Sequence, residues 1–349
     1  MRRLPEGFRG LGLKLVVALL WLLVVAPATA AAKDKAWLPE RTWVFVVGIL
    51  EWQDTETFES FPKENRRDLE LISFFRERGV PSTQIVYLQD RAATARRIQN
   101  ALVSLLSKTR EGDTLFLYYT GHGYRAENGR AYFASYDASD DNPGWSMDSI
   151  PTTVERYFKG DKAFLTADCC FSGALADAVR SRPRRTSYAV FASATSDKTS
   201  TGEWTFTECL LAALRGLPYV DTDGNGEVTL SELGREIKGD MAFAEQQTSF
   251  FILTGALDAQ TVLAGAEPRS DKSVGARVEV YSEGDWYKAR IIDAGRGKYR
   301  VRYYGYDDSY NEWVKPAQIR GRDTRAKQNP TPRSGNPDRA EALGASPLR

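Results

Sequence analysis

Histidine is almost absent from this chain: among 349 residues there is one, His122. Any imidazole chemistry must fall to that residue. Cysteine is scarce too, with only Cys169, Cys170 and Cys209; an odd count with two adjacent implies no disulfide framework. The sequence has no zinc-type cluster, no phosphate-binding glycine loop and no internal repeat, and it implies no organic cofactor. Long apolar runs are missing as well. The N-terminal run from Leu15 to Ala26 covers 12 residues, short of the roughly 18 expected of a membrane-spanning helix.

That run lies behind Arg2, Arg3, Arg9 and Lys14 and ahead of small residues from Pro27 to Ala32, the layout of a secretory signal peptide. Residues 1–32 are expected to be removed by cleavage after Ala30 or Ala32. The mature chain would then be exported, periplasmic or secreted, with no membrane span. An apolar content of 42% supports a real core, and the remaining length suits two domains.

Six apolar runs read as strands: Thr42 to Leu50, Gln84 to Leu88, Thr114 to Thr120, Lys162 to Asp168, Ser187 to Ser193 and Ser249 to Thr254. Most are apolar on both faces, as buried parallel strands require. Between them, 63–78 and 92–108 carry apolar residues at helical spacing, among them Leu69, Ile72 and Phe75, then Ile98, Leu102 and Leu105. The alternation predicts an α/β domain over 33–256, with a mainly parallel six-stranded sheet flanked by helices.

Two of these runs end in reactive residues. Thr114 to Thr120 leads into Gly121-His122-Gly123, and Lys162 to Asp168 leads into Cys169-Cys170-Phe171-Ser172-Gly173. Open α/β sheets gather their reactive groups at the C-terminal ends of strands. Neighbouring parallel strands would present His122 and one cysteine at the same edge. A thiol needs such a partner, because only the thiolate attacks and the imidazole can later protonate the leaving amine. Adjacent residues of an extended chain face opposite ways, so one cysteine of the pair faces His122 and the other packs.

His122-Gly123 and Asp168-Cys169-Cys170-Phe171-Ser172-Gly173 resemble the signature of the caspase and metacaspase peptidases, and the resemblance covers roughly 42–255. It implies a cysteine endopeptidase with Cys170 as nucleophile and His122 as general acid and base. The backbone N–H groups of Gly123 and Cys170 would form the oxyanion hole. Phe171 departs from the pattern, since metacaspases commonly carry His or Asn there. The resemblance also implies that Asp168, two residues before the nucleophile, and Asp68, early in the first helix, contact a basic side chain before the scissile bond, favouring cleavage after Arg or Lys. Net charge agrees in sign: residues 33–268 hold 26 Lys and Arg against 34 Asp and Glu. The alternative for Asp68 is a helix start beside Arg66 and Arg67. The basic stretch Arg180-Ser-Arg-Pro-Arg-Arg185 should be exposed and mobile, which makes Arg180, Arg182, Arg184 and Arg185 candidate self-cleavage sites; a solvated loop is the rival reading.

Asp221 to Glu232 meets the twelve-residue calcium-loop template at every ligand position. Asp221, Asp223, Asn225, the Glu227 carbonyl, Thr229 and bidentate Glu232 would bind Ca2+, with Gly226 at the sharp turn. Gly216-Leu-Pro218 interrupts the entering helix, so a paired EF-hand unit is not expected; the alternative is a polar turn capping the next helix.

From 257 to 273 the chain turns small and polar, a linker. Residues 274–320 then alternate in short runs, Ala276 to Tyr281, Trp286 to Ile292, Lys298 to Tyr304 and Asn311 to Val314, which predicts a small all-β barrel. Its aromatic spacing resembles the Tudor, chromo-barrel and Agenet group of SH3-like modules. Tyr281, Trp286, Tyr303, Tyr306 and Trp313 are candidates for an aromatic cage around a methylated ammonium group, although most aromatics in so small a barrel are core. The module's partner is left open, and no nucleic-acid partner is firmly implied. Residues 321–349, rich in Pro, Arg, Ser and Gly, are expected to be disordered. The substrate would be a peptide or protein. The rival to a peptidase is a binding protein in which the caspase-like domain is an inactive scaffold and the C-terminal module does the work.

Overall fold

The computed structural model describes residues 36–198, 202–268 and 271–321. The segment 1–32, expected to be a signal peptide, and the tail beyond Gly321, expected to be disordered, lie outside them. All six expected strands form, as β1 (Thr42–Gly48), β2 (Ile85–Gln89), β3 (Thr114–Thr120), β4 (Lys162–Asp168), β5 (Ser187–Ala192) and β6 (Phe250–Leu253). They make one sheet in the order β6-β5-β4-β3-β1-β2, parallel throughout except for β6. The chain starts in the middle and adds strands outward on both sides. β3 and β4 are neighbours in register, with Thr120 opposite Asp168.

Alternation along the strands splits the core in two. Phe45, Val47, Leu117, Tyr119 and Leu165 face α2 (Ala95–Leu106), α3 (Ser149–Tyr157) and α4 (Ala174–Arg180). Val44, Val46, Phe116, Tyr118 and Phe164 face α1 (Arg67–Glu77), α5 (Thr205–Arg215) and α6 (Leu230–Asp240). A sheet covered on both faces needs strands without a polar side, and every residue of β3 is buried. The helices start later than their apolar spacing suggests. Asn65 takes a left-handed turn before α1, and Thr94 caps α2 by accepting from the Arg97 N–H.

The expected linker at 257–273 is not one throughout. Val262–Gly265 forms a strand that pairs with Glu227–Thr229 in the calcium-type loop, and Ala36 donates its N–H to the Val262 carbonyl. Val262 and Leu263 are buried.

The C-terminal module is a five-stranded antiparallel sheet of β7 (Arg277–Ser282), β8 (Asp285–Gly295), β9 (Lys298–Tyr303), β10 (Glu312–Val314) and β11 (Ile319–Gly321), in the order β10-β9-β8-β7-β11. Val278, Val280, Ala289, Ile291, Val301 and Val314 form its core. It docks on α5 and α6 through buried charge. Arg290 is 1% exposed; it pairs with Glu236 at 2.6 Å and with Asp240, and its guanidinium lies over the Tyr219 ring. Arg277 adds bonds to Asp240 and Glu236, and Arg302 meets Glu208 at 3.0 Å, which Arg67 also holds at 2.9 Å. Among the described residues no helix is long and apolar enough to cross a membrane.

Candidate active site

The tips of β3 and β4 carry the candidate catalytic residues. His122 and Cys170 each follow by two positions the register pair Thr120 and Asp168. Glycine lets the two tips touch: a Cβ on Gly123 would stand 2.0 Å from the Cys170 carbonyl oxygen and 2.8 Å from Cys169 Sγ. Gly121, at φ +142°, is crowded by the Ile49 carbonyl and the Tyr119 hydroxyl. No side chain fits either place.

The cysteines differ as strand alternation requires. Cys169 is 3% exposed and packs with the α2–α4 core; burial pushes its thiol far up, with Cys170 and Asp168 adding to the effect. Cys170 is half-buried. The next residue, Phe171, has φ +56°, a left-handed conformation that costs a non-glycine residue about 1–3 kcal/mol and that often marks a functional turn. That turn is pinned by Phe171 N–H donating to the Lys198 carbonyl and by the Ala194 N–H donating to Ser172 Oγ. α4 begins only at Ala174, after this turn, and spans seven residues.

His122 sits in an aromatic box of Trp52 and Phe61, each 4.5 Å away between ring centres, with Phe58 at 5.8 Å. Its Nε2 lies 2.8 Å from the Glu59 carbonyl oxygen. A carbonyl only accepts, so Nε2 carries a proton and Nδ1 of the neutral ring keeps its lone pair. Burial lowers the imidazole pKa, with the Glu59 carbonyl working against it. The ring is held as a neutral base. Trp52, Phe58, Glu59 and Phe61 come from the loop after β1, where no sequence periodicity marked them.

The two candidate specificity carboxylates part company. Asp168 is buried and accepts from Thr207 Oγ1 at 2.6 Å; burial raises its pKa to about 7. It lines a recess of about 30 Å3 with Phe61, Pro62, Glu203 and Trp204. Entry of a side chain requires one of those walls to move. Asp68 does not reach the recess. It is fully buried, bound by Arg66 on both oxygens (3.1 and 2.8 Å) and by the Tyr87 hydroxyl at 2.8 Å. Arg66, two residues away and also paired with Asp90, takes the place expected of a substrate cation, so the assignment of Asp68 to substrate is corrected.

The stretch 180–185 is mostly exposed, yet its arginines are engaged. Arg180 lies over the Phe250 ring, Arg184 donates to the Val179 carbonyl, and Arg185 reaches the Gly160 carbonyl. Arg182 donates to the Ala178 carbonyl.

In the calcium-type loop, carboxylate oxygens of Asp221, Asp223 and Glu232 lie within 4.8 Å of one another. Asp221 accepts from the N–H groups of Gly224, Asn225 and Gly226, and Asn225 Oδ1 accepts from Glu227 N–H. Gly226, at φ +82°, makes the sharp turn. Burial works to raise the Glu232 pKa, but bonds from Thr229 and Thr222 outweigh it and the carboxyl stays ionised to lower pH. Thr229 caps α6 in a capping box with Glu232. A hard oxygen-ligated cation fits this donor set. The cluster of Cys209, Glu236 and Asp240 is a different case, because Arg277 and Arg290 neutralise it.

The five candidate cage aromatics do not all gather at one pocket. A pocket of about 290 Å3 in the C-terminal module is lined by Tyr287, Tyr303, Tyr306 and Tyr310 with Glu283 and Glu312. Adjacent rings meet at steep angles, 83° for Tyr287 with Tyr303 and 64° for Tyr306 with Tyr310. Tyr281, Trp286 and Trp313 stay outside: Tyr281 packs on Trp286, Arg320 covers Trp286, and Trp313 is 45% exposed. Tyr287 is the neighbour of Trp286, so strand alternation puts it on the other face.

Comparison with known proteins places an Agenet domain over residues 275–322. Metacaspase-7 of Arabidopsis thaliana is 29% identical over 161 residues, which cover 42% of this chain and 37% of that protein. The match thus spans well under half the length of the curated relative. Among solved structures, a Geobacter sulfurreducens protein determined as a structural genomics target aligns with 65% of this chain and 100% of its own, at 14% identity and a TM-score of 0.46. The Drosophila initiator caspase Dronc aligns with 67% of this chain and 88% of its own, at 12% identity and a TM-score of 0.43.

Proposed function

We propose that this caspase-like chain with its C-terminal Agenet domain is a cysteine endopeptidase acting through Cys170 and His122. The observation that carries the reading is the contact of Gly123 with Cys169 and Cys170, which brings the two strand tips together at one sheet edge. His122 Nδ1 takes the thiol proton, and Cys170 Sγ bonds to the scissile carbonyl carbon. Backbone N–H groups of Gly123 and Cys170 receive the oxyanion. Collapse breaks the peptide bond, and His122 returns its proton to the leaving amine. Water, deprotonated by the same imidazole, then cleaves the thioester and restores the thiol.

Asp168 supports a preference for Arg or Lys before the scissile bond, since a buried carboxylate gains most from a cation that enters with it. The test is hydrolysis of peptides differing only at that residue, Arg, Lys, Asp or citrulline. Arginyl and lysyl peptides should be cut and the aspartyl peptide left intact; preferential cutting after Asp would overturn the assignment. Asp168 is ionised above its pKa of about 7 and neutral below it. KM for the arginyl peptide should therefore rise as pH falls through 7, while KM for the citrulline peptide stays level.

The loop at 221–232 is proposed as a Ca2+ site that stiffens the support of α6. Extracellular calcium sites bind with Kd on the order of 0.1–1 mM, and calcium at 100 times its Kd stabilises the folded chain by about 3 kcal/mol. Thermal unfolding should shift upward with Ca2+ and return with chelator, and Glu232→Gln should abolish the shift. A wild-type chain whose melting ignores Ca2+ would contradict the site. The tyrosine pocket of the Agenet domain is proposed to take a methylated ammonium group, with Tyr287 and Tyr310 completing the cage of Tyr303 and Tyr306. Export rests on residues 1–32. Self-cleavage after Arg180, Arg182, Arg184 or Arg185 should appear as two fragments in active wild type and none in Cys170→Ala; an active wild type that stays intact would remove it.

A further inference from the structure

One loop of the Agenet domain touches two sites. Between β9 and β10 it runs from Tyr304 to Asn311, with a single 3-10 turn at Asp308–Tyr310. Tyr306, Ser309 and Tyr310 line the tyrosine pocket, and the Tyr306 ring stands 6.2 Å from that of Tyr303 and 5.5 Å from that of Tyr310. Gly305, Asp307 and Asp308 face the caspase-like domain instead. A Cβ on Gly305, at φ +78°, would stand 3.4 Å from Glu203 Oε2. Asp307 accepts from Asn65 Nδ2 at 3.2 Å, and Asp308 lies 3.8 Å from Arg67. These contacts land on both sides of the recess beside Asp168: Glu203 and Trp204 form one wall, Phe61 and Pro62 the other, and Asn65 follows Pro62 by three residues. The loop is also closed on itself, since Asp307 accepts from the Ser309 N–H at 2.7 Å and from the Tyr310 N–H at 3.1 Å. A shift of Tyr306 or Tyr310 therefore carries Asp307 and Asp308 with it.

We propose that the 304–311 loop is an autoinhibitory strap that holds the two walls of the recess together, and that a methylated ammonium guest in the tyrosine pocket tightens it. This rests on the peptidase reading and on the pocket reading, and adds regulation to both. The recess admits a side chain only when a wall moves, and the strap resists that movement from outside. A ligand favours the state whose contacts it makes. The pocket takes its shape from Tyr306 and Tyr310 with the loop docked, so a guest there favours the closed recess. Substrate entry works against the guest by the same amount.

The test uses the full chain with Asn65→Gly and Asp308→Asn combined. Glycine suits the left-handed φ of +57° at residue 65, and asparagine at 308 keeps an acceptor for Asn311, so the strap is cut with both of its ends intact. Hydrolysis of an arginyl peptide should rise about fivefold, the scale of one exposed hydrogen bond and one surface ion pair. The melting temperature should stay near that of wild type, and backbone hydrogen exchange over 58–66 and 203–208 should quicken. Unchanged or slower hydrolysis by the folded double variant would overturn the strap. Nε-trimethyllysine amide should slow wild type, slow the double variant less, and have no effect on Tyr310→Leu, which keeps bulk but loses the ring. Slowing of Tyr310→Leu to the same degree would overturn control by the pocket. Calorimetry separates the readings: an amide that fails to bind defeats the pocket reading and the guest's control with it, while one that binds wild type without slowing it defeats the coupling alone. If no chain cuts any peptide, the peptidase reading falls and hydrogen exchange decides the strap, with exchange over 58–66 unaltered by the double substitution overturning it.

Discussion

Cys170→Ala is expected to abolish peptide hydrolysis, with a loss of roughly 10,000-fold or more, the scale seen when a covalent nucleophile is removed. Cys169→Ala should keep most of the activity. The two residues are adjacent and chemically identical, so the contrast isolates geometry. Cys169 is enclosed by the core and its thiol is held far above the usual range. Losing its sulfur should cost stability on the order of 1 kcal/mol, read as a lower melting temperature. His122→Ala should reduce turnover by about 100- to 10,000-fold, the usual contribution of a general acid and base. No second histidine can stand in, because the chain has none. Equal activities of Cys170→Ala and wild type, measured on the same arginyl peptide, would end the account.

The second large effect concerns stability. Arg290→Met should destabilise the whole chain by about 3–5 kcal/mol, because it strips a partner from two carboxylates that are already out of water. Glu236 and Asp240 are 5% and 1% exposed, and Arg277 would be left to serve both. For a domain of this size the melting temperature should fall by about 10 °C. Exchanging Glu236→Gln as well leaves Arg277 and Asp240 as a simple pair, so the double variant should melt above the single one. If Arg290→Met unfolds like wild type, the C-terminal module is not fixed to α6 by charge. The same interface joins the calcium-type loop, which begins α6 at Leu230, to the Agenet domain, which grips its end at Asp240.

The sheet was legible because its strands are buried on both faces and read as uninterrupted apolar runs. β3 and β4 match their expected limits, and the nearness of their tips follows from their parallel pairing. The strand at Val262–Gly265 was not legible. It is four residues long, rich in small side chains, and owes its existence to a partner more than thirty residues earlier in the calcium-type loop. Asp68 misled because nothing in a linear sequence says which way Arg66 turns; it folds back over Asp68 and completes a buried pair. Of the candidate cage aromatics, Tyr303 and Tyr306 line the pocket and Trp286 does not: Trp286 and Tyr287 are equally aromatic, and only the pleat decides which one looks into it. Glu203, which lines the recess with Asp168, lies in an irregular segment before α5, where no periodicity marks a residue.

The central claim, that one imidazole at the tip of β3 activates one sulfur at the tip of β4, is tested most directly by irreversible labelling. An arginyl-directed thiol reagent should modify wild type and Cys169→Ala at Cys170, located by peptide mass, and should leave Cys170→Ala and His122→Ala essentially unlabelled over the same interval. Equal labelling of all four chains, or modification of Cys169 in its place, would contradict it.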